Sequence, residues 1–241
     1  LIVNTSFIAA GETSETAVVN APEGIVSTFS IVAYDPETES WGVGVASKFL
    51  AVGSVVPWAS AESGAIATQS YANTSYGPNG LKLLNEGASA KDVITRLTEA
   101  DEKREQRQVG IVDLKGNPAN FTGQECLPWA GGKTGKHYTC QGNILAGPEV
   151  VDAMCEAYES THGPFAWRIM AALEAADAAG GDVRGRQSAA IYIVQKDGGY
   201  GGYNDRAVDF RVDDHETPIS ELARVLSLRI PRRSRESTEQ E

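Results

Sequence analysis

Helical patterns arrive in consecutive pairs between groups of strands, and this order most constrains what the chain can fold into. "GPNGLKLLNEG" (77–87) carries Pro78 in its first turn and Gly87 where a C-terminal cap favours glycine. "SAKDVITRLTEADEKREQR" (89–107) opens on Ser89 as N-cap with Asp92 three residues later, and its charged end reads as a solvated face. The second pair, "GPEVVDAMCEAYES" and "GPFAWRIMAALEAADAAGG", begins at Pro148 and Pro164, with Met154 and Met170 as core packing. "TPISELARVLSL" closes the order as a single helix, with Thr217 as candidate N-cap and Pro218 in its first turn.

Strand patterns fill the intervals. "TFSIVAYD" (28–35) and "WGVGVAS" (41–47) flank the turn-rich "PETES", which suits a hairpin, and "GAIATQS" (64–70) is a third short strand. "RQVGIVDLKGNPANFTG" (107–123) reads as strand, turn at Lys115-Gly116-Asn117, strand. "RQSAAIYIVQ" and "RAVDFRVDD" flank the glycine-rich "KDGGYGGYND" as another hairpin, whereas "QECLPWAGGKTGKHYTCQGNILAG" (124–147) reads as irregular. A doubly wound sheet alternates single helices with strands, so paired helices argue against it. Two stacked antiparallel sheets with helices outside fit better. The expected domain spans 28–228, with residues 1–27 as an extension or propeptide outside the fold and 229–241 as a disordered polar tail.

Composition narrows the function classes. The net charge of −11 argues against nucleic acid and anionic membrane surfaces as partners, because both require a positive footprint. No apolar run is long enough to span a membrane, and "LIVNTSFIAA" lacks the basic start of a signal peptide. Cys126, Cys140 and Cys155 form neither a disulfide framework nor a CxxC pair, so buried reduced thiols and a cytoplasmic location are expected. His137 and Cys140 are too few for zinc, and Asp213, Asp214 and His215 are adjacent residues that cannot all point at one ion. No metal and no cofactor is expected. Asp209 and Arg211 share a strand face and are expected to pair.

The blocks "TFSIVAYDPETESWGVGVASKFLAVGSVVPWA", "GAIATQSYANTSYGPNGLKLL", "NFTGQECLPWAG", "QGNILAGPEV", "GRQSAAIYIV" and "DRAVDFRVDDHETP", in that order, resemble the bacterial and archaeal family called domain of unknown function 1028. That family is placed in the Ntn-hydrolase-like superfamily, so the resemblance implies an α+β fold, a four-layer αββα sandwich. It also implies an N-terminal nucleophile: Thr28 would attack an amide or small peptide bond, with its own α-amine as base. Such an amine has a pKa of roughly 7.7–8.0, leaving a useful fraction unprotonated at neutral pH.

A free amine at Thr28 requires either self-cleavage of the Ser27–Thr28 bond or translation starting at Val26, which would leave Ser27 first once the initiator is removed. Ser47 ends the second strand, where proteasome-like relatives carry an acidic residue, and Lys48 follows it; alternation points the two to opposite faces. By the same resemblance Gln69, Gln141, Gly142, Asn143, Arg186, Gln187 and Ser188 would bind substrate or an oxyanion, although polar groups at strand ends commonly satisfy only backbone groups. The substrate would be a small molecule or peptide, and homo-oligomerisation is expected. The proteasome-type acid and lysine are absent, which keeps open a catalytically silent protein of the same fold that binds a small molecule or self-assembles.

Overall fold

The computed structural model describes residue 26 and residues 28–232. Strands β1 (Thr28–Asp35) and β2 (Ser40–Ser47) pair antiparallel along their whole length, from Thr28 opposite Ser47 to Asp35 opposite Ser40. β3 (Pro57–Ser60) and β4 (Gly64–Ser70) form the next hairpin, followed by helices α1 (Tyr76–Asn85) and α2 (Ala90–Glu99). β5 (Arg107–Asp113), β6 (Pro118–Thr122), β7 (Gly131–Gly135) and β8 (Tyr138–Gly142) precede α3 (Pro148–Ser160) and α4 (Phe165–Ala178). β9 (Ser188–Gln195), β10 (Arg206–Val212) and α5 (Pro218–Ser227) complete the order.

The strands make two antiparallel sheets, one of six strands ordered β10-β9-β2-β1-β8-β7 and one of four ordered β3-β4-β5-β6. Strand alternation sorts the side chains by face. Phe29, Ile31 and Ala33 of β1 pack with α3, α4 and α5, while Val32 meets Val43 and Val45 of β2 and Ala65 and Ala67 of β4 between the sheets. Ile66 turns the other way and packs with α1 and α2. Both faces of β1, β2 and β4 are therefore covered, which explains their near-continuous burial in an antiparallel setting. Gly42 and Gly44 give β2 a flat helix-side face, because a methyl at either would strike Ile169 of α4.

Several expectations change. The stretch 124–147 is not irregular: it holds the β7–β8 hairpin, and β8 lies beside β1 inside the larger sheet. Its glycines and its inward Thr139 and Gln141 hid the strand pattern. β3 also escaped the reading. α2 ends at Glu99, and the charged stretch after it is a folded turn in which Asp101 accepts bonds from Arg107 Nε at 2.9 Å, Asn73 Nδ2 at 3.0 Å and Tyr76 OH at 3.0 Å. Asp209 pairs with Arg206 and Arg211 with Asp213, rather than with each other. Thr217 makes no side-chain cap, and its hydroxyl meets His215 Nδ1 instead.

Val26, expected in the extension, is 3% exposed and packs in the apolar layer between the sheets. The rest of that extension, residues 1–25 and 27, lies outside the described residues. Ile230 and Arg232, expected in the tail, pack on α4 through Trp167 Nε1 donating to Ile230 O at 2.9 Å and an Arg232–Glu174 ion pair. Residues 233–241 lie outside the described residues. Among the described residues no helix is long and apolar enough to cross a membrane.

Candidate active site

Thr28 is the first residue of β1 and is fully buried, with its side chain on the face that meets the second sheet. Its hydroxyl donates to the carbonyl oxygen of Val26 at 2.8 Å. Val26 is held in turn by the end of β4: its N–H donates to Ser70 O at 2.8 Å, and Ser70 N–H donates back to Val26 O at 3.0 Å. The Val26 backbone is thus held against the Thr28 hydroxyl.

Beneath this point runs a seam of buried amides that joins the sheets. Ser30 donates to Gln69 Oε1 at 2.6 Å and accepts from Gln141 Nε2 at 2.7 Å. Gln69 Nε2 donates to Gln108 Oε1 at 2.8 Å, and Gln108 Nε2 reaches Gly142 O at 2.8 Å and Thr122 Oγ1 at 2.9 Å. Asn143 Nδ2 donates to Gln108 Oε1 at 3.0 Å, and Thr139 donates to Gln141 Oε1 at 2.9 Å. The Thr28 carbonyl accepts from Asn143 N–H at 3.0 Å and from Gln69 Nε2 at 3.4 Å. These groups are neutral at any ordinary pH. Burial of so many polar atoms is tolerable because they satisfy one another.

The expected residues divide into two groups. Thr28, Gln69, Gln141, Gly142 and Asn143 come together in or beside the seam. Ser47 is the cross-strand partner of Thr28, and Ser188 is the partner of Ser47, giving a row of three hydroxyl residues at the same strand ends. The Ser188 hydroxyl accepts from Val52 N–H at 3.0 Å and donates to Phe49 O, so it pins the loop after β2. Lys48 is turned to solvent, with Nζ donating to Arg186 O at 3.2 Å and its backbone N–H to Asp182 Oδ2 at 3.0 Å. Arg186 Nε binds Asp177 Oδ1 at 2.6 Å and Gln187 Nε2 binds Asp214 Oδ1 at 3.2 Å. Lys48, Arg186 and Gln187 therefore build the outer rim. Gln108 and Ser30 were not anticipated; the available signal was a polar side chain at an inward position of a strand otherwise apolar on that face.

A cavity of about 150 Å³ opens at these strand ends, on the helix side of the larger sheet. Phe29, Ala46, Val183 and Ile219 give it apolar walls, with Ser47, Asp177, Asp182 and Arg186 as polar lining. It adjoins Thr28 through its chain neighbour Phe29 and its strand partner Ser47. Among the described residues no group of three or more His, Cys, Asp or Glu side chains could hold a metal. The Thr28 side chain faces the second sheet and is fully buried, whereas the cavity lies on the opposite, helix-side face, so Thr28 does not itself line it.

Residues 28–222 match the profile of a family described as "Family of unknown function (DUF1028)". Among solved structures, the crystal structure of protein SPO2555 from Silicibacter pomeroyi, which carries the same family name, is similar at 34% identity and a TM-score of 0.77. The likeness covers 84% of this chain and 88% of that one. No curated protein matches the chain.

Proposed function

The chain belongs to the DUF1028 family, and from the site it carries we propose an N-terminal-nucleophile amidohydrolase that cleaves an amide or small peptide bond through an acyl-enzyme on Thr28. The helices covering the outer faces of the two stacked sheets support placing the fold with the four-layer αββα sandwiches of Ntn hydrolases. One observation carries the functional reading. The chain at Val26 is gripped by Ser70 through two backbone bonds and held against the Thr28 hydroxyl, as an amide substrate would be.

In this scheme Thr28 must first acquire a free α-amine by loss of the residues before it. Thr28 Oγ1 then attacks the substrate carbonyl carbon while the α-amine takes the hydroxyl proton. That proton passes to the leaving nitrogen as the carbon–nitrogen bond breaks. Water, deprotonated by the same amine, attacks the ester carbon; the bond from that carbon to Thr28 Oγ1 breaks, the amine returns the proton to Oγ1, and a carboxylic acid leaves. The Asn143 N–H and Gln69 Nε2 hold the Thr28 carbonyl oxygen and so position the nucleophile. Ser47, opposite Thr28, stands where it could relay a proton. The substrate is a small peptide or amide, and the working protein is a homo-oligomer.

A second reading rests on a different observation: the seam beside Thr28 has no acidic or basic side chain, and its amides bond chiefly to one another. This favours a catalytically silent protein of the same fold that binds a small molecule or self-assembles. Intact-mass spectrometry separates the two. The amidohydrolase predicts a species beginning at Thr28 in the wild type and a Thr28→Ala variant that keeps the upstream residues and no longer reacts with hydroxyl-directed acylating probes. If the upstream residues stay in place in both proteins and neither is labelled, the reading fails.

A further inference from the structure

Away from the seam, β8 and α3 carry a thiol pair that the proposed hydrolysis does not use. Tyr138 donates its hydroxyl to Glu159 Oε1 at 2.6 Å, which sets the register between the strand and the helix. Two residues along β8 is about 6.6 Å, and four residues back along α3 is about 6 Å, so the next matched position sets Cys140 against Cys155. Cys155 packs against the core cluster that contains Cys140, and each thiol shifts the ionisation of the other. Lys133 is the cross-strand partner of Cys140, and its ammonium bridges to Asp152 on α3 beside them. Cys140 is fully buried, whereas Cys155 lines a surface groove with Lys133, Asp152, Glu156 and Glu159.

The geometry points to a covalent modification site in which a peroxide oxidises Cys155 and the buried Cys140 resolves it as a Cys140–Cys155 disulfide. The half-buried Cys155 is reached before the fully buried Cys140, and packing of the two on facing elements supplies the proximity a disulfide requires. The hydrogen bond from Cys140 lowers the pKa of Cys155, against the opposing effect of burial, and the nearby Lys133 ammonium lowers it further. Burial instead raises Cys140, which keeps it a thiol until a sulfenic acid stands beside it.

In the first step the Cys155 thiolate attacks one peroxide oxygen; a sulfur–oxygen bond forms, the oxygen–oxygen bond breaks and hydroxide leaves. Cys155 is oxidised by two electrons and the peroxide reduced. In the second step the Cys140 sulfur attacks the Cys155 sulfur, the sulfur–oxygen bond breaks, and the departing hydroxide takes the Cys140 proton to leave as water. Cys126 is the internal control. It lies buried within the loop after β6, burial raises its pKa, and its thiol donates to Arg107 O.

The test treats the full chain with equimolar hydrogen peroxide and follows it by intact mass and non-reducing peptide mapping. Expected is the loss of two hydrogens, reversed by dithiothreitol, with the cross-link at Cys140–Cys155 and Cys126 unmodified. In Cys140→Ala the reaction stops at a sulfenic acid on Cys155 that dimedone captures; in Cys155→Ser neither cross-link nor adduct forms. The wild-type measurement stands even where a variant fails to fold. Oxidation of Cys126 ahead of Cys155, no oxidation of Cys155, or its sulfinic acid without the cross-link overturns the assignment.

Discussion

Gln141 is fully buried, and both ends of its side-chain amide have partners: Nε2 donates to Ser30 Oγ at 2.7 Å and Oε1 accepts from Thr139 at 2.9 Å. A leucine of similar size would leave those buried hydroxyls without their amide partner. Gln141→Leu is therefore expected to cost about 1–3 kcal/mol, read as a lower urea midpoint. Gln187→Leu, on the rim, is expected to stay within about 0.5 kcal/mol. Equal effects would mean that the seam is no more than packing. Gln69, Gln141 and Asn143 were suggested by resemblance, but nothing local distinguished them from polar residues at exposed strand ends. Gln108 and Ser30 gain meaning only from partners on other strands.

Elements were legible where they bury an apolar face. β1, β2, β4, β5 and β9 were legible as short, largely apolar runs, because they are covered on both faces, and the five helices follow a repeat of 3.6 residues. β7 and β8 were not legible, because their inward residues are polar or glycine. Gly77 shows the limit of propensity at this scale. Alanine favours a helix over glycine by up to about 1 kcal/mol. Yet a methyl at Gly77 would enter the Trp58 ring, which is anchored by its Nε1 donating to Val55 O at 3.0 Å. Overpacking typically costs about 1–3 kcal/mol, so Gly77→Ala is expected to lower Tm and alter Trp58 fluorescence. A raised Tm would show that α1 does not press on β3 as described.

For the whole molecule, pH sensitivity gathers at Asp101, which ties α1, the loop after β4 and the start of β5 together. Burial works against its charge, but hydrogen bonds from Arg107, Asn73, the Lys103 N–H and Tyr76 outweigh it and hold the carboxyl well below the usual range. An unfolded aspartate titrates near about 3.9. Its contribution is thus fully present above that value and is lost as pH falls through the lower folded value. Acid titration of Asp101→Asn should show a variant less stable than wild type at neutral pH, with the gap closing below about pH 4. A gap that stays constant to low pH would remove Asp101 from this role.

The sequence by itself determined the five helices and most of the strands, the exclusion of a doubly wound sheet and the acidic net charge, because these follow from local pattern and summed charge. Only the tertiary structure decided the amide seam, the β7–β8 hairpin and the grip on Val26. Their hydrogen bonds join positions far apart, such as Gln141 and Ser30, separated by 111 residues. A buried polar group is stable only with its partner in place, and no local window contains both.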